Sequence, residues 1–277
     1  MGYNFLCKKI LVSTLAKEAL LKEVELTPKP GLVDKNNSGS HKDMDLNTFY
    51  KSIEAISVFF ISFVNAGEEF ANDSKKCFLK LRDIGLECEK AMFYATQGVN
   101  THKGAIFSIA IVLGAYGIMR EKNLNIDSTN LRKQIQKLCK NLMNQDFTCK
   151  EFLKTAGGQF YTLFNDGGIR QEAQNGYPTI FEKALPFYFT CKENEDLSLK
   201  KTLLFLMSEL NDTTLWKRGG VEGLNWVKQE SKRHLHVKNI NEKLIELDKL
   251  FIKKNLSPGG SADMLALTWL ISKLLKK

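Results

Sequence analysis

The chain has 277 residues, 43% apolar and 26% charged, with 19 glycines and five prolines; this is ordinary globular usage and excludes a collagen-like, low-complexity or disordered chain. Forty Lys and Arg against 31 Asp and Glu give a net charge of +9, enough to attract nucleotides and phosphates without the basic block of a nucleic-acid-binding surface. The six cysteines, at 7, 77, 88, 139, 149 and 191, form no C-x-x-C pair and have no histidine at zinc-knuckle spacing, as expected of reduced thiols in the cytoplasm.

From Phe5 to Leu26, apolar residues recur at Leu6, Ile10, Leu11, Leu15, Ala19, Leu20 and Val24, the three-and-four spacing of an amphipathic helix. Lys17 and Glu18 interrupt its apolar run, which argues against a secretory signal, and Pro28 and Pro30 end it. Asp45 stands as the N-cap of a second helix from about Leu46 to Phe70. Further helices are expected at roughly 74–96, 102–121, 129–144, 178–191, 197–210, 220–235, 239–254 and 261–276. The uncharged stretch Gly104–Met119 has 16 residues, short of the roughly 20 that span a bilayer, and reads as a buried helix. With no alternating β-branched run, no flanked hairpin turn and no linker, the expectation is an all-α fold. It forms a single multi-helix globular domain over residues 1–277, with the active site built from inter-helix loops.

Four connections are crowded with Gly, Asp, Asn, Ser and His: Thr27 to Asp45, Gln97 to Gly104, Asn211 to Gly220, and Asn255 to Asp263. A fifth, weaker break runs from Thr155 to Pro178. Helix N-termini in such places offer unpaired N–H groups to anions. In the first break, Asp34, Asp43 and Asp45 lie near Asn37 and His41, a carboxylate set suited to magnesium shared with substrate phosphates; Asp43 and Asp45 equally suit helix caps. Lys29 in Pro-Lys-Pro-Gly either reaches toward a phosphate or merely sits in a helix terminator.

In the second break, Asn100 or Thr101 caps an uncharged helix whose first turn carries His102 and Lys103. Cations there oppose the helix dipole, so a bound anion or carboxylate is expected beside them. The third joins Asp212, Lys217 and Arg218 to Gly219 and Gly220, a site of close backbone approach or an ordinary capped turn. In the fourth, Ser257, Gly259, Gly260 and Ser261 open the last helix ahead of Asp263, either as a phosphate cradle or as a plain turn. Walker, dinucleotide and G-x-S-x-G motifs are absent, and no His precedes Asp, which excludes those nucleotide folds, serine hydrolases and His-Asp phosphohydrolases. His234 and His236 belong to a charged, solvated helix.

EVELTPKPGLVDKNNSGSHKDMD, VNTHKGAIFS, GGIRQEAQNGYP, DTTLWKRGG and NLSPGGSADMLALT, in this order, resemble the triphosphoribosyl-dephospho-CoA synthase family from Glu23 to Thr268. Thr214 and Gln171 depart from the family pattern, which usually has Asn and Gly there. The resemblance implies an all-helical enzyme that moves the 5-triphosphoribosyl group of ATP to the ribose 2′-hydroxyl of 3′-dephospho-CoA and releases adenine. The product would be the prosthetic-group precursor of the acyl carrier subunit of citrate lyase or malonate decarboxylase. The carrier and its loading transferase would be met through that product, with no nucleic-acid or membrane partner.

Because the family turns a β linkage into an α one, a single inverting displacement is the simplest route, with an acid for adenine and a base for the hydroxyl. The candidates for those roles are His41, His102, Glu172, Asp212 and Asp263, and the sequence does not order them. Phosphate and nucleotide contacts fall to Lys29, Lys103, Gly104, Arg170, Arg218 and the glycine- and serine-bearing loops, with magnesium on Asp34, Asp43 or Asp45. Two competing readings are a metal-dependent nucleotide hydrolase on a helical scaffold and a helical module that binds nucleotides without turnover.

Overall fold

Helices follow one another throughout the computed structural model, which describes residues 2–148, 150–191 and 194–275; no strand occurs among them. They are α1 (Gly2–Glu25), α2 (Leu46–Ser57), α3 (Phe60–Glu69), α4 (Ser74–Ala95), α5 (Lys103–Glu121), α6 (Ser128–Leu138), α7 (Leu142–Asp146) and α8 (Lys150–Leu153). Then come α9 (Ala156–Phe164), α10 (Ile169–Gln174), a π-helical turn (Thr179–Ala184), α11 (Leu185–Thr190), α12 (Glu195–Glu209), α13 (Thr213–Arg233), α14 (Ile240–Lys253) and α15 (Gly259–Leu275). Local chemistry sets most starts: Asp45, Asp73, Asp127, Thr155, Asn194 and Asp212 each accept a backbone N–H of the helix that follows. Such a cap contributes about 1 kcal/mol.

The core forms around α5, which is buried from Ala105 to Met119 apart from Phe107 and packs on α3, α4, α6 and α15. Glycines permit the closest crossing. A Cβ on Gly67 would stand 2.1 Å from the Gly114 carbonyl oxygen, and one on Gly117 would stand 2.2 Å from that of Val64, so α3 and α5 meet backbone to backbone. By length and composition both Leu46–Glu69 and Lys103–Glu121 could cross a membrane; here the second is the central helix, enclosed by its neighbours. The last helix, α15, is almost as deeply buried and joins α1 and α5 to α12 and α13. The N-termini of α5 and α15 therefore lie side by side.

Several boundaries differ from expectation. The helix expected over 46–70 divides at Val58 and Phe59, where the Phe59 N–H bonds to Ile56 O, three residues back, while Phe60 and Phe63 both reach the core. The helix expected over 129–144 ends at Leu138, and Asn141 then adopts a left-handed φ of 67°. The weak break at 155–178 contains α9 and α10. Residues 213–219 are helical, because the Asp212 carboxylate takes the Thr214 and Leu215 N–H groups; the chain kinks at Gly220, where φ is 62°. Gly259 and Gly260 belong to the first turn of α15. Cys149 lies outside the described residues; Cys7, Cys77, Cys88 and Cys139 are free thiols.

Candidate active site

All four polar connections reach one cavity of about 130 Å³. The first supplies Lys29 and His41, the second Asn100, Thr101, His102, Lys103 and Gly104, the third Thr214, and the fourth Ser257, Gly259 and Asp263; α1 adds Leu20 and Glu23. The first loop holds its shape through aspartates. Asp34 accepts the N–H groups of Lys29 at 2.9 Å, Asn36 at 2.7 Å and Asn37 at 3.1 Å. Asp248, on α14, takes the Gly31 N–H and the Asn37 amide, each at 2.8 Å.

The cavity interior is charged. Lys29 is fully buried, and its ammonium donates to the Glu23 carboxylate at 2.5 Å and to the Glu23 carbonyl at 2.7 Å. Asp263 projects from the first turn of α15 over Gly104, close enough that a Cβ there would stand 2.1 Å from Oδ2. It accepts no hydrogen bond from the described protein groups. Burial, with Glu23 and Asp212 as neighbouring carboxylates, holds its pKa well above the usual carboxylate range. It is a carboxyl group with free oxygens, poised to keep or give a proton.

His102 is 3% exposed and lies edge-on to Phe49. Its Nδ1 is 2.7 Å from the Ser52 hydroxyl, whereas Nε2 is buried with no partner. Burial first, then the Lys29 charge, pull its pKa down to about 3, so it is neutral. Lys103 points outward to Glu89 at 2.8 Å and is half exposed. The expected pair of cations opposing the α5 dipole is thus one neutral ring and one lysine at the rim, and the carboxyl groups near that helix end are Glu89, paired with Lys103, and Asp263.

His41 is held on both sides. Arg218 Nη2 lies 3.1 Å from Nδ1, and Ser257 Oγ lies 2.8 Å from Nε2. Arginine can only donate, so Nδ1 accepts and Nε2 carries the hydrogen toward Ser257. Burial and then Arg218 lower the His41 pKa. Arg218 also donates to the Ser40 carbonyl at 2.8 Å and to the Asn255 amide oxygen at 3.0 Å, so it ties the first loop to the last. With both ring nitrogens engaged, His41 positions Ser257.

A second cleft, of about 290 Å³, lies on the other side of the α15 N-terminus and is lined by Glu172, Asp212 and Gly260 among others. Glu172 accepts the Thr179 hydroxyl at 2.7 Å and its N–H at 3.2 Å, and burial raises its pKa. Asp212 takes Thr214 and Leu215 N–H groups on one oxygen, and the Ser261 N–H at 2.8 Å and hydroxyl at 3.1 Å on the other. It joins the starts of α13 and α15, and both oxygens are occupied. Gly260 leaves room for that carboxylate: a Cβ there would stand 2.9 Å from it.

The other expected residues are dispersed. Asp34, Asn37 and Asp45 border an outer groove; Asp45 caps α2 in a capping box with Thr48. Asp43 is exposed, 3.7 Å from His41 Nδ1. The three aspartates do not converge, and no group of three His, Cys, Asp or Glu suited to a metal occurs among the described residues. Arg170 turns to Asp146 at 2.7 Å and stacks over Phe152, in a groove that also includes Lys103. Gly219 packs on Leu256, Gly220 supplies the kink, and Lys217 is exposed. Gln171, at one departure from the family pattern, takes the Gly167 N–H at 2.9 Å.

Sequence reasoning missed Glu23 and Ser52. Glu23 lies three residues after Leu20 and one before Val24, a charge on the buried face of α1, which is the signal that would have found it. Ser52 beside Ile53 gives no comparable signal.

Residues 10–277 match the family model described as CitG: ATP:dephospho-CoA triphosphoribosyl transferase. A protein of Vibrio cholerae (strain ATCC 39315 / El Tor Inaba N16961), named "Probable 2-(5''-triphosphoribosyl)-3'-dephosphocoenzyme-A synthase", is 43% identical over 96% of this chain and 88% of its own. One of Photobacterium profundum with the same name is 42% identical over 95% and 87%. In Pectobacterium atrosepticum, the "2-(5''-triphosphoribosyl)-3'-dephosphocoenzyme-A synthase" is 40% identical over 91% of this chain and 85% of its own.

Proposed function

The chain belongs to the ATP:dephospho-CoA triphosphoribosyl transferase family, and from that premise we infer that the four-loop cavity is where it joins the triphosphoribosyl group of ATP to the ribose 2′-hydroxyl of 3′-dephospho-CoA, releasing adenine. The observation that carries this siting is the convergence of four separate polar loops on one carboxyl group with free oxygens, Asp263. Water hydrolysis of a nucleotide and simple nucleotide sensing have no comparable support.

The reaction breaks the bond between adenine N9 and C1′ of the ATP ribose and forms one from C1′ to the acceptor oxygen. The one proton lost by the hydroxyl balances the one gained by adenine, and the sugar passes through an oxocarbenium-like state. Asp263 is the group suited to give adenine its proton. Glu23, ion-paired with Lys29, supplies a carboxylate to the developing sugar cation. The N-termini of α5 and α15 open on the same space and favour phosphate, with Ser257 and Lys103 beside them. The cleft around Glu172 adjoins through Gly260 and Thr213 and offers room for the second nucleotide.

The residues do not form a ready cage for magnesium. The ion would be carried chiefly by the triphosphate, with exposed Asp43 as a single carboxylate, and would neutralise phosphate charge. The free thiols of Cys7, Cys77, Cys88 and Cys139 fit a cytoplasmic enzyme. Its product would feed the acyl carrier subunit of citrate lyase or malonate decarboxylase through a loading transferase. The test is to incubate pure protein with ATP and magnesium, with and without dephospho-CoA. Free adenine released only with the acceptor is expected; phosphate released regardless of the acceptor would refute transfer.

A further inference from the structure

Thr101 and His102, which line the cavity, form a short chain with Ser52. The Thr101 hydroxyl lies 2.7 Å from the Ser52 hydroxyl, which lies 2.7 Å from His102 Nδ1. Ser52 has no exposure, and Thr101 is half-buried. Two hydroxyl protons serve two contacts when Thr101 donates to Ser52 and Ser52 donates to Nδ1. With Thr101 donating to Ser52, the buried Ser52 proton has Nδ1 as its acceptor among the described groups. Donation into Nδ1 places the ring hydrogen on Nε2, the buried nitrogen that has no protein partner.

A buried N–H left unpaired costs about 1–3 kcal/mol, and His102 is one of the residues that line the cavity, so an acceptor from outside the protein would complete it. The N-terminus of α5, where His102 is the N-cap, favours an anion there, and Lys29, paired with Glu23, is the cation whose charge acts on this ring.

We propose that Ser52 and Thr101 are positioning residues that hold His102 in its neutral Nε2–H tautomer, and that this N–H donates a hydrogen bond to a phosphate oxygen of the nucleotide. The identity of the nucleotide rests on the transferase reading above; the tautomer does not. His102 is then a fixed donor and not the acid that protonates adenine. A neutral donor holds the oxyanion without adding a second buried cation beside Lys29.

The test uses the full-length protein labelled with nitrogen-15 histidine, whose two-bond proton–nitrogen spectra distinguish the tautomers. Wild type should show His102 as Nε2–H, and inorganic tripolyphosphate should shift Nε2 more than Nδ1. Ser52→Ala and Thr101→Val should mix the tautomers and lower kcat/KM for ATP on the order of tenfold, whereas Thr101→Ser should stay within about threefold of wild type. Thr101→Val and the wild-type spectrum carry the test if Ser52→Ala does not fold. Nδ1–H in wild type overturns the proposal, as do an Nε2 unmoved by tripolyphosphate and hydroxyl-free variants with unchanged tautomer and kinetics. A correct tautomer that responds to tripolyphosphate in a protein releasing no adenine would refute the transferase reading and leave the relay standing.

Discussion

Replacing Asp263 by Asn separates catalysis from stability, because the carboxyl group has no hydrogen bond to lose. A general acid contributes about 100- to 10,000-fold to rate, so kcat should fall within that range. Stability should move the other way. Burial, Glu23 and Asp212 raise the folded-state pKa well above the usual carboxylate range, so between the unfolded and folded values the native chain binds more protons than the unfolded one. Wild-type stability is therefore lost as pH rises through that window, and Asn is free of the penalty. An uncompensated polar group of this kind costs about 1–3 kcal/mol, and each kcal/mol corresponds to roughly 2–4 °C in Tm for a chain somewhat shorter than this one. Calorimetry of both proteins from pH 4 to pH 8 measures the difference. The variant should be the more heat-stable, by a margin that grows with pH. A less stable variant, or a margin that is flat with pH, would show that the carboxylate is ionised and well paired, and the reasoning would fail.

Gly104→Ala puts a methyl group where Asp263 Oδ2 lies; steady-state kinetics should show on the order of tenfold lower kcat/KM, with circular dichroism matching wild type. Gly260→Val pushes on the Asp212 carboxylate that joins α13 to α15, so thermal melts should show it destabilised by roughly 1–3 kcal/mol; a stable variant with only a raised KM would make that turn a phosphate cradle instead. Asp45→Ala removes a helix cap and should cost about 1 kcal/mol with an unchanged magnesium titration of activity, whereas Asp43→Asn should weaken the magnesium dependence.

The helices were legible wherever apolar spacing ran unbroken, and the loops that form the cavity stood out because Gly, Asp, Asn and His interrupt that spacing. What each aspartate does inside them was not legible. Asp34, Asp45 and Asp212 spend their oxygens on backbone N–H groups while Asp263 does not, and the residue type is the same in all four. The charge of His102 was misjudged for a related reason. A sequence shows a basic residue at a helix start, but burial beside Phe49 and Lys29, which keeps the ring neutral, comes from α2 and the first loop. Glu23 was hidden by the regularity of α1, and Ser52 became meaningful only when α2 placed it against His102. Arg170 suits a phosphate contact by residue type, yet the fold brings Asp146 to it from α7.

The most direct measurement is a crystal structure with dephospho-CoA and an ATP analogue whose ribose ring oxygen is replaced by methylene, so that C1′ cannot ionise. C1′ is expected between Asp263 and Glu23, with the triphosphate along the α5 and α15 N-termini and His102 Nε2 on a phosphate oxygen. C1′ bound instead in the cleft lined by Glu172 and Asp212, with the four-loop cavity left to solvent, would contradict this siting.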